Sequence, residues 1–238
     1  AEDFVTIEGS DVNHIKNVLR MKPGEKIRVC TRNGQNYFCS ISDITESFVR
    51  ADILEKEAES TELPCRIYLF QGLPKNDKME WIIQKTVELG VYEVIPVAMK
   101  NCVVKLDDKK AKSKVMRWQA IAESAAKQSK RSLIPEVKMP MSYKEAVAYA
   151  KELDVKLVPY ENEHGMAGTK AAMEQIKKGE SIAVFIGPEG GFAPEEIALV
   201  QDEMQLISLG KRILRTETAG IAALAILGYQ LESSDMIE

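Results

Sequence analysis

The sequence predicts an α/β protein: a mostly parallel sheet covered by helices, with a small β-rich unit in front of it. Three observations carry this. From residue 65 onward, short apolar runs alternate with helical patterns, as in a parallel sheet buried on both faces. Residues 1–60 instead hold short strands and tight turns, the pattern of a small barrel. Between them the stretch from Glu55 to Leu63 is acidic and polar and ends at Pro64, which marks it as a linker.

In chain order, Asp11 to Leu19 has a short helical pattern with Ile15, Val18 and Leu19 on one side, and Pro23-Gly24 is a turn. Lys26 to Thr31 alternates as a strand, Arg32-Asn33-Gly34-Gln35 carries the Asn-Gly hairpin signal, and Tyr37 to Ile44 and Phe48 to Leu54 supply further strands. Past Pro64, Arg66 to Gln71 is a strand. The helix Lys78 to Leu89 has Met79, Ile82, Ile83 and Val87 inward and Gly90 as its stop. Then follow strand Val91 to Val97 and a long helix, Ser113 to Ser129, with Val115, Trp118, Ile121, Ala122 and Ala125 inward. Helix Tyr143 to Leu153, strand Val155 to Val158 and helix Ala167 to Lys177 come next. Strand Ile182 to Ile186, helix Pro194 to Glu203, strand Leu206 to Leu209 and helix Glu217 to Leu231 complete the pattern. Ala219 to Leu227 is apolar nearly all round and is expected to be buried on every side. Trp81 and Trp118 are expected in the core.

A chain of 238 residues that is 45% hydrophobic and 29% charged is an ordinary globular composition. No apolar stretch reaches membrane-spanning length and no signal peptide is visible, so a cytoplasmic protein is expected. Cys30, Cys39, Cys65 and Cys102 form no Cys-x-x-Cys pair and have only two histidines to join them, which argues against a metal site and for reduced thiols. A Cys30–Cys39 disulfide across the hairpin is open but not expected.

The net charge of −4 hides two basic islands: Asn13 to Arg32 carries +5 and Lys100 to Arg131 carries +7. They fit contact with a polyanion along defined surfaces, or simply solvated helix faces.

Two strand-to-turn junctions hold the chemistry: Gly187-Pro188-Glu189-Gly190-Gly191 and Leu209-Gly210-Lys211-Arg212-Ile213-Leu214-Arg215-Thr216-Glu217. Neither fits the dinucleotide fingerprint or a phosphate loop. Glu189 would repel a phosphate, so the first loop suits a neutral or cationic ligand, or is a plain turn. Thr216 reads as an N-cap, with Glu217 at the positive helix end. Leu157-Val158-Pro159-Tyr160-Glu161 ends another strand with a proline turn, which either lines the same crevice or is simply a strand end. His14 alone on a short helix reads as structural. Lys127 to Arg131 read as cations at a helix C-terminus, or as polyanion contacts.

Taken together, five segments resemble the RsmE family of bacterial 16S rRNA uridine-N3 methyltransferases, in the SPOUT superfamily. They are His14-Ile15-xx-Val18-Leu19-Arg20; Lys75-xx-Lys78-Met79-Glu80 through Gly90-Val91; Gln128-Ser129-x-Arg131; Ile186 to Gly191; and Leu209 to Ala219. Two departures stand out: Lys127 and Lys130 are basic where acidic and small residues are expected, and an aromatic and basic opening segment is missing before Ala1.

The resemblance implies a PUA-like RNA-binding barrel over residues 1–60 and, over 65–238, a SPOUT domain with a deep trefoil knot. It implies S-adenosylmethionine as cofactor, 16S rRNA of the small ribosomal subunit as partner, and a homodimer. Leu157, Pro159, Tyr160, Gly187, Pro188, Glu189, Gly190, Gly191, Leu209, Gly210, Ile213, Leu214, Thr218 and Ala219 would cradle the cofactor. Arg215 would stabilise the uracil, with Glu217 taking its proton or fixing Arg215. His14, Arg20, Lys22, Arg28, Lys78, Lys127, Arg131 and Arg212 would hold RNA. The competing readings are a knotted methyltransferase for another rRNA or tRNA base, a non-catalytic ribosome assembly factor, and a nucleotide-dependent enzyme on an open sheet.

Overall fold

The computed structural model describes residues 3–31, 35–56, 60–163 and 165–234. The turn at Asn33-Gly34, with Arg32, lies outside the described residues, as does part of the linker. By its contacts the chain divides into two units: residues 1–62 with 131–133, and residues 63–130 with 134–238.

In the first unit, β1 (Phe4–Glu8), β2 (Lys26–Cys30), β3 (Asn36–Ile44) and β4 (Phe48–Lys56) form an antiparallel sheet in the order β1-β4-β3-β2. The sequence pattern did not reveal β1. Val49 and Ala51 of β4 are buried and Arg50 between them is exposed, the alternation that fixes which face meets the core. That core is Val12, Ile15, Ile41 and Val49, with Ile7, Met21, Ile27 and Ile44 packed on it. The expected helix is a short α1 (Ser10–Asn13) running into a π-turn at His14–Val18. Of the three residues expected on one side, Ile15 is buried while Val18 and Leu19 are exposed. Cys30 pairs across the hairpin with Asn36, and Cys39 with Ile27; neither forms a disulfide.

The second unit is a parallel sheet with helices on both faces. Its elements are β5 (Arg66–Gly72), α2 (Lys78–Glu88), β6 (Val91–Ala98), α3 (Asp108–Gln128), β7 (Glu136–Val137), β8 (Met141–Ser142) and α4 (Tyr143–Ala150). Then come β9 (Val155–Pro159), α5 (Ala167–Glu174), β10 (Ser181–Ile186), α6 (Pro194–Val200), β11 (Gln205–Ile207) and α7 (Thr216–Ser234). The strand order is β11-β9-β10-β5-β6-β7, with β8 also on β6. From β5 the chain moves outward to β6, then returns to build β10, β9 and β11 on the other side. The order therefore reverses between β5 and β10, and such reversals open a crevice at the carboxyl ends of the strands.

The strands read with period two. Ile67 and Leu69 of β5, and Ile182 and Val184 of β10, enter one core with α2, α3, α5 and α7. Tyr68, Phe70, Ala183 and Phe185 enter the other with α4 and α6, where Phe70 and Phe185 stack at 4.3 Å.

Helix ends follow local chemistry. α3 starts five residues before the predicted helix because the Asp107 carboxylate accepts the Lys110 N–H at 2.8 Å, an N-cap. α2 stops at Gly90, whose φ of +92° suits glycine and whose missing Cβ makes room for Leu63. In α6, Pro194 takes the first turn and the Glu196 carboxylate reaches back to the Ala193 N–H at 2.8 Å.

Two core expectations are corrected. Trp118 is buried, but Trp81 is 52% exposed, lying on the outer face of α2 under the Lys85 ammonium at 5.0 Å. Within this chain α7 buries one side only, that of Ala223, Leu224, Leu227 and Leu231, while Ala225 and Tyr229 are exposed.

Candidate active site

The carboxyl ends of β9, β10 and β11 and the start of α7 enclose a cavity of about 610 Å³, within the range that takes a small molecule. Both glycine junctions line it, contributing Gly187, Pro188, Glu189 and Gly191 from one and Leu209 to Thr216 from the other. Pro159, Tyr160, Phe192 and Ala219 complete the apolar wall.

The first loop is held tightly. At the end of β5, a Cβ on Gly72 would stand 2.7 Å from the Pro188 nitrogen, so only glycine admits the loop there. Gly191 sits at φ +66°, a left-handed conformation. The Asn101 side chain donates to the Gly190 and Gly191 carbonyls at 3.0 and 3.2 Å.

The second loop is tied to the first by Thr216. Its hydroxyl donates to the Gly187 carbonyl at 2.7 Å and accepts from the Gln71 amide at 2.9 Å. Thr216 thus stitches the two junctions together, rather than serving as the simple cap its position suggests. Gln71, Gly72 and Asn101 carried no sequence signal, because their meaning comes from strand neighbours that pairing alone creates. Ser208 and Thr169, which exchange hydrogen bonds at 2.8 and 3.0 Å, steady the second loop in the same way.

Lys78 stands between two carboxylates, 3.1 Å from Glu189 and 3.1 Å from Glu217. Glu189 also accepts the Lys75 N–H at 3.0 Å. Burial alone would raise the Glu189 pKa, but backbone N–H groups and the Lys78 ammonium outweigh it and hold the carboxyl below its ordinary value. The two carboxylates hold Lys78 above its own. The Glu217 Oε2 atom is buried and has this ion pair but no hydrogen bond. Glu161, Glu163, Lys211, Arg212 and Arg215 bring further charge of both signs to the cavity wall.

Of the expected cofactor set, Pro159, Tyr160, Gly187, Pro188, Glu189, Gly191, Leu209, Gly210, Ile213, Leu214 and Ala219 line this cavity. Leu157 does not: it is fully buried in the core between sheet and helices. Gly190 packs against Asn101, where a Cβ would come within 3.0 Å, and Thr218 faces outward on the first turn of α7. Of the expected RNA contacts, Lys78 and Arg212 line the cavity. His14, Arg20, Lys22 and Lys127 are exposed, Lys127 in an i,i+4 pair with Glu123. Arg28 is half-buried in β2. Arg131 is buried, and its guanidinium is bound by Glu62, with Nε donating at 3.0 Å. Its charge is therefore consumed inside the first unit and is not presented to a phosphate. Among the described residues no group of His, Cys, Asp and Glu is arranged to hold a metal ion, and no helix is long and apolar enough to cross a membrane.

The cavity suits a compact ligand with polar and apolar parts: glycine backbone for close approach, apolar walls, and charged side chains of both signs. Known proteins agree with that reading. An RNA methyltransferase domain family matches residues 61–228, and an RNA methyltransferase PUA domain family matches residues 7–54. The ribosomal RNA small subunit methyltransferase E of Bacillus subtilis is 39% identical over 231 residues, 95% of this chain and 90% of the relative. That of Mesomycoplasma hyopneumoniae is 36% identical, over 92% of each chain. The crystal structure of the Neisseria gonorrhoeae enzyme of that name, bound to S-adenosylmethionine, superposes with a TM-score of 0.78 at 33% identity, covering 95% of this chain and 91% of the other. A Legionella pneumophila methyltransferase structure with bound S-adenosylmethionine does so at 32% identity and a TM-score of 0.78, covering 94% and 90%.

Proposed function

The chain belongs to the ribosomal RNA small subunit methyltransferase E family of RNA methyltransferases, and we propose that it methylates N3 of a uridine in the 16S rRNA of the small ribosomal subunit, with S-adenosylmethionine as donor. The observation that carries this is the single cavity formed by both glycine junctions and pinned by Thr216. Bound there, the donor would supply an electrophilic methyl group on a sulfonium for transfer to N3, whose proton passes to a base or to water.

The residues of this chain have three tasks. Gly187, Gly191 and the backbone from Leu209 to Leu214 hold the donor, with Pro159 and Tyr160 at its edge. Arg215 at the cavity wall lowers the cost of negative charge on the uracil ring as N3 gives up its proton. Holding the base beside the donor supplies much of the remaining rate, and the base has to leave its stack to reach the cavity. The basic islands bring the RNA, and the second unit carries a deep trefoil knot made by threading the last helix through a loop. The protein works in the cytoplasm as a homodimer.

The test is to incubate the protein with labelled donor and small-subunit particles lacking the modification, then map the labelled base. Label on a 16S uridine N3 supports the reading; label on another base or on tRNA replaces it. Arg215→Ala is expected to lower kcat by about 10²-fold while calorimetry shows unchanged donor affinity. Unchanged kcat removes Arg215 from the reaction.

A further inference from the structure

We infer that Lys78 is a catalytic cation whose unspent N–H donates to a uracil carbonyl oxygen as N3 loses its proton, and that it is not an RNA phosphate contact. The inference rests on the methyltransferase reading above and assigns a new role within that site.

The argument begins with donors. An ammonium carries three N–H groups and no acceptor. Lys78 has carboxylates on two sides, Glu189 and Glu217, each at 3.1 Å. These contacts use at most two of the three donors, so at least one stays for a ligand, and Lys78 lines the cavity. The Nζ atom is also fixed in place. It extends from the first turn of α2, and Glu189 is itself anchored by the Lys75 N–H at 3.0 Å. The Glu217 Oε2 atom, buried with no hydrogen bond, has this ammonium as its ionic partner. A donor held before the reaction costs no reorganisation during it, which makes such groups effective toward an oxygen that gains charge.

The same geometry argues against phosphate. Glu189 and Glu217 already neutralise the ammonium at close range, so it is poorly matched to a phosphodiester that arrives fully charged, whereas a uracil carbonyl arrives neutral and gains charge only as N3 loses its proton. The carboxylates hold Lys78 protonated through the neutral pH range, so it acts as a donor and not as the base. Balance is kept: the N3 proton departs to a base or to water, and Lys78 retains its own three.

Three quantities are measured for wild type and Lys78→Gln: kcat with small-subunit particles, donor affinity by calorimetry, and the slope of log Kd for a 16S rRNA fragment against log salt concentration. The expected result is a kcat lower by about 10²-fold, with donor affinity and salt slope both unchanged. A slope reduced by about one with unchanged kcat makes Lys78 a phosphate contact and overturns the inference. Loss of donor affinity makes it a strut of the donor cavity and also overturns it, as does an unaltered variant. Should Lys78→Gln not fold, Lys78→Arg keeps the cation but replaces the three-way ammonium by a planar fork. There a kcat within twofold of wild type overturns the inference, and a fall of tenfold or more with unchanged donor affinity and slope supports it. If wild type itself transfers no methyl group to the particles, the parent reading fails instead, and the two failures are told apart.

Discussion

Arg131 shows how a partner far along the chain decides what a charged residue does. Its guanidinium is buried and bound by Glu62, and the same carboxylate also accepts the Ser132 and Leu133 N–H groups, at 2.8 and 3.2 Å. Cutting such a pair leaves a carboxylate short of compensation, which is costly when both groups are deeply buried. Glu62 keeps partial solvent contact and its two backbone donors, so the cost is discounted. Arg131→Gln is therefore expected to destabilise the protein by about 2 kcal/mol in urea unfolding, with no change in the salt slope of RNA binding. A reduced slope with full stability would return Arg131 to the RNA surface. The sequence marks Arg131 as a basic residue at the end of a long helix, and that position reads naturally as a phosphate contact. Its meaning lies in Glu62, which is 69 residues away and reached only through the fold. Gln71 and Gly72 were illegible for the same reason: each looks like the end of a strand until β5 is set beside β10 and the Gly187–Pro188 turn arrives above them.

At the scale of elements, apolar period and punctuation were enough to place every long helix and central strand of the second unit. The two-residue strands β7 and β8 were not visible, being too short to show a period. Both loops of the cavity were legible as loops, but their joining was not, since it depends on the Thr216 hydroxyl. One joint in this cluster is pH-sensitive, with a sign that can be worked out. Glu189 titrates below its ordinary 4.5 in the folded protein, so its bonds to Lys75 and Lys78 stabilise the loop above that pH and are lost as pH falls through the lowered value. Lys78 titrates above its ordinary 10.5, so its side of the contact is complete below 10.5 and is lost as pH rises through the raised value. The loop is thus held across the whole neutral range and released first by acid. In an NMR titration, the Lys75 amide proton, which donates to Glu189, is expected to shift with a midpoint below 4.5. Glu189→Gln abolishes that step. A midpoint at or above 4.5 contradicts the contact.

For the whole molecule, the exposed side of α7 bears on the state of assembly. Its sequence is apolar nearly all round, the signature of a helix buried on every side. One chain covers only the Ala223, Leu224, Leu227 and Leu231 side. Ala225 and Tyr229, the latter 75% exposed, stay open, and α7 packs beside α2, whose Trp81 is also exposed. An exposed aromatic group on each of two adjacent helices offers apolar area for a partner. The proposed homodimer supplies that cover with a second copy of the same surface, as two-fold symmetry requires. Tyr229→Glu would place a charge on that face of both copies at once, where like charges repel across the proposed two-fold. Sedimentation equilibrium is expected to show wild type at twice the chain mass and Tyr229→Glu at the chain mass, with the far-ultraviolet circular dichroism unchanged. A monomeric wild type, or a variant that stays dimeric, would mean that a different surface, or none, joins the chains.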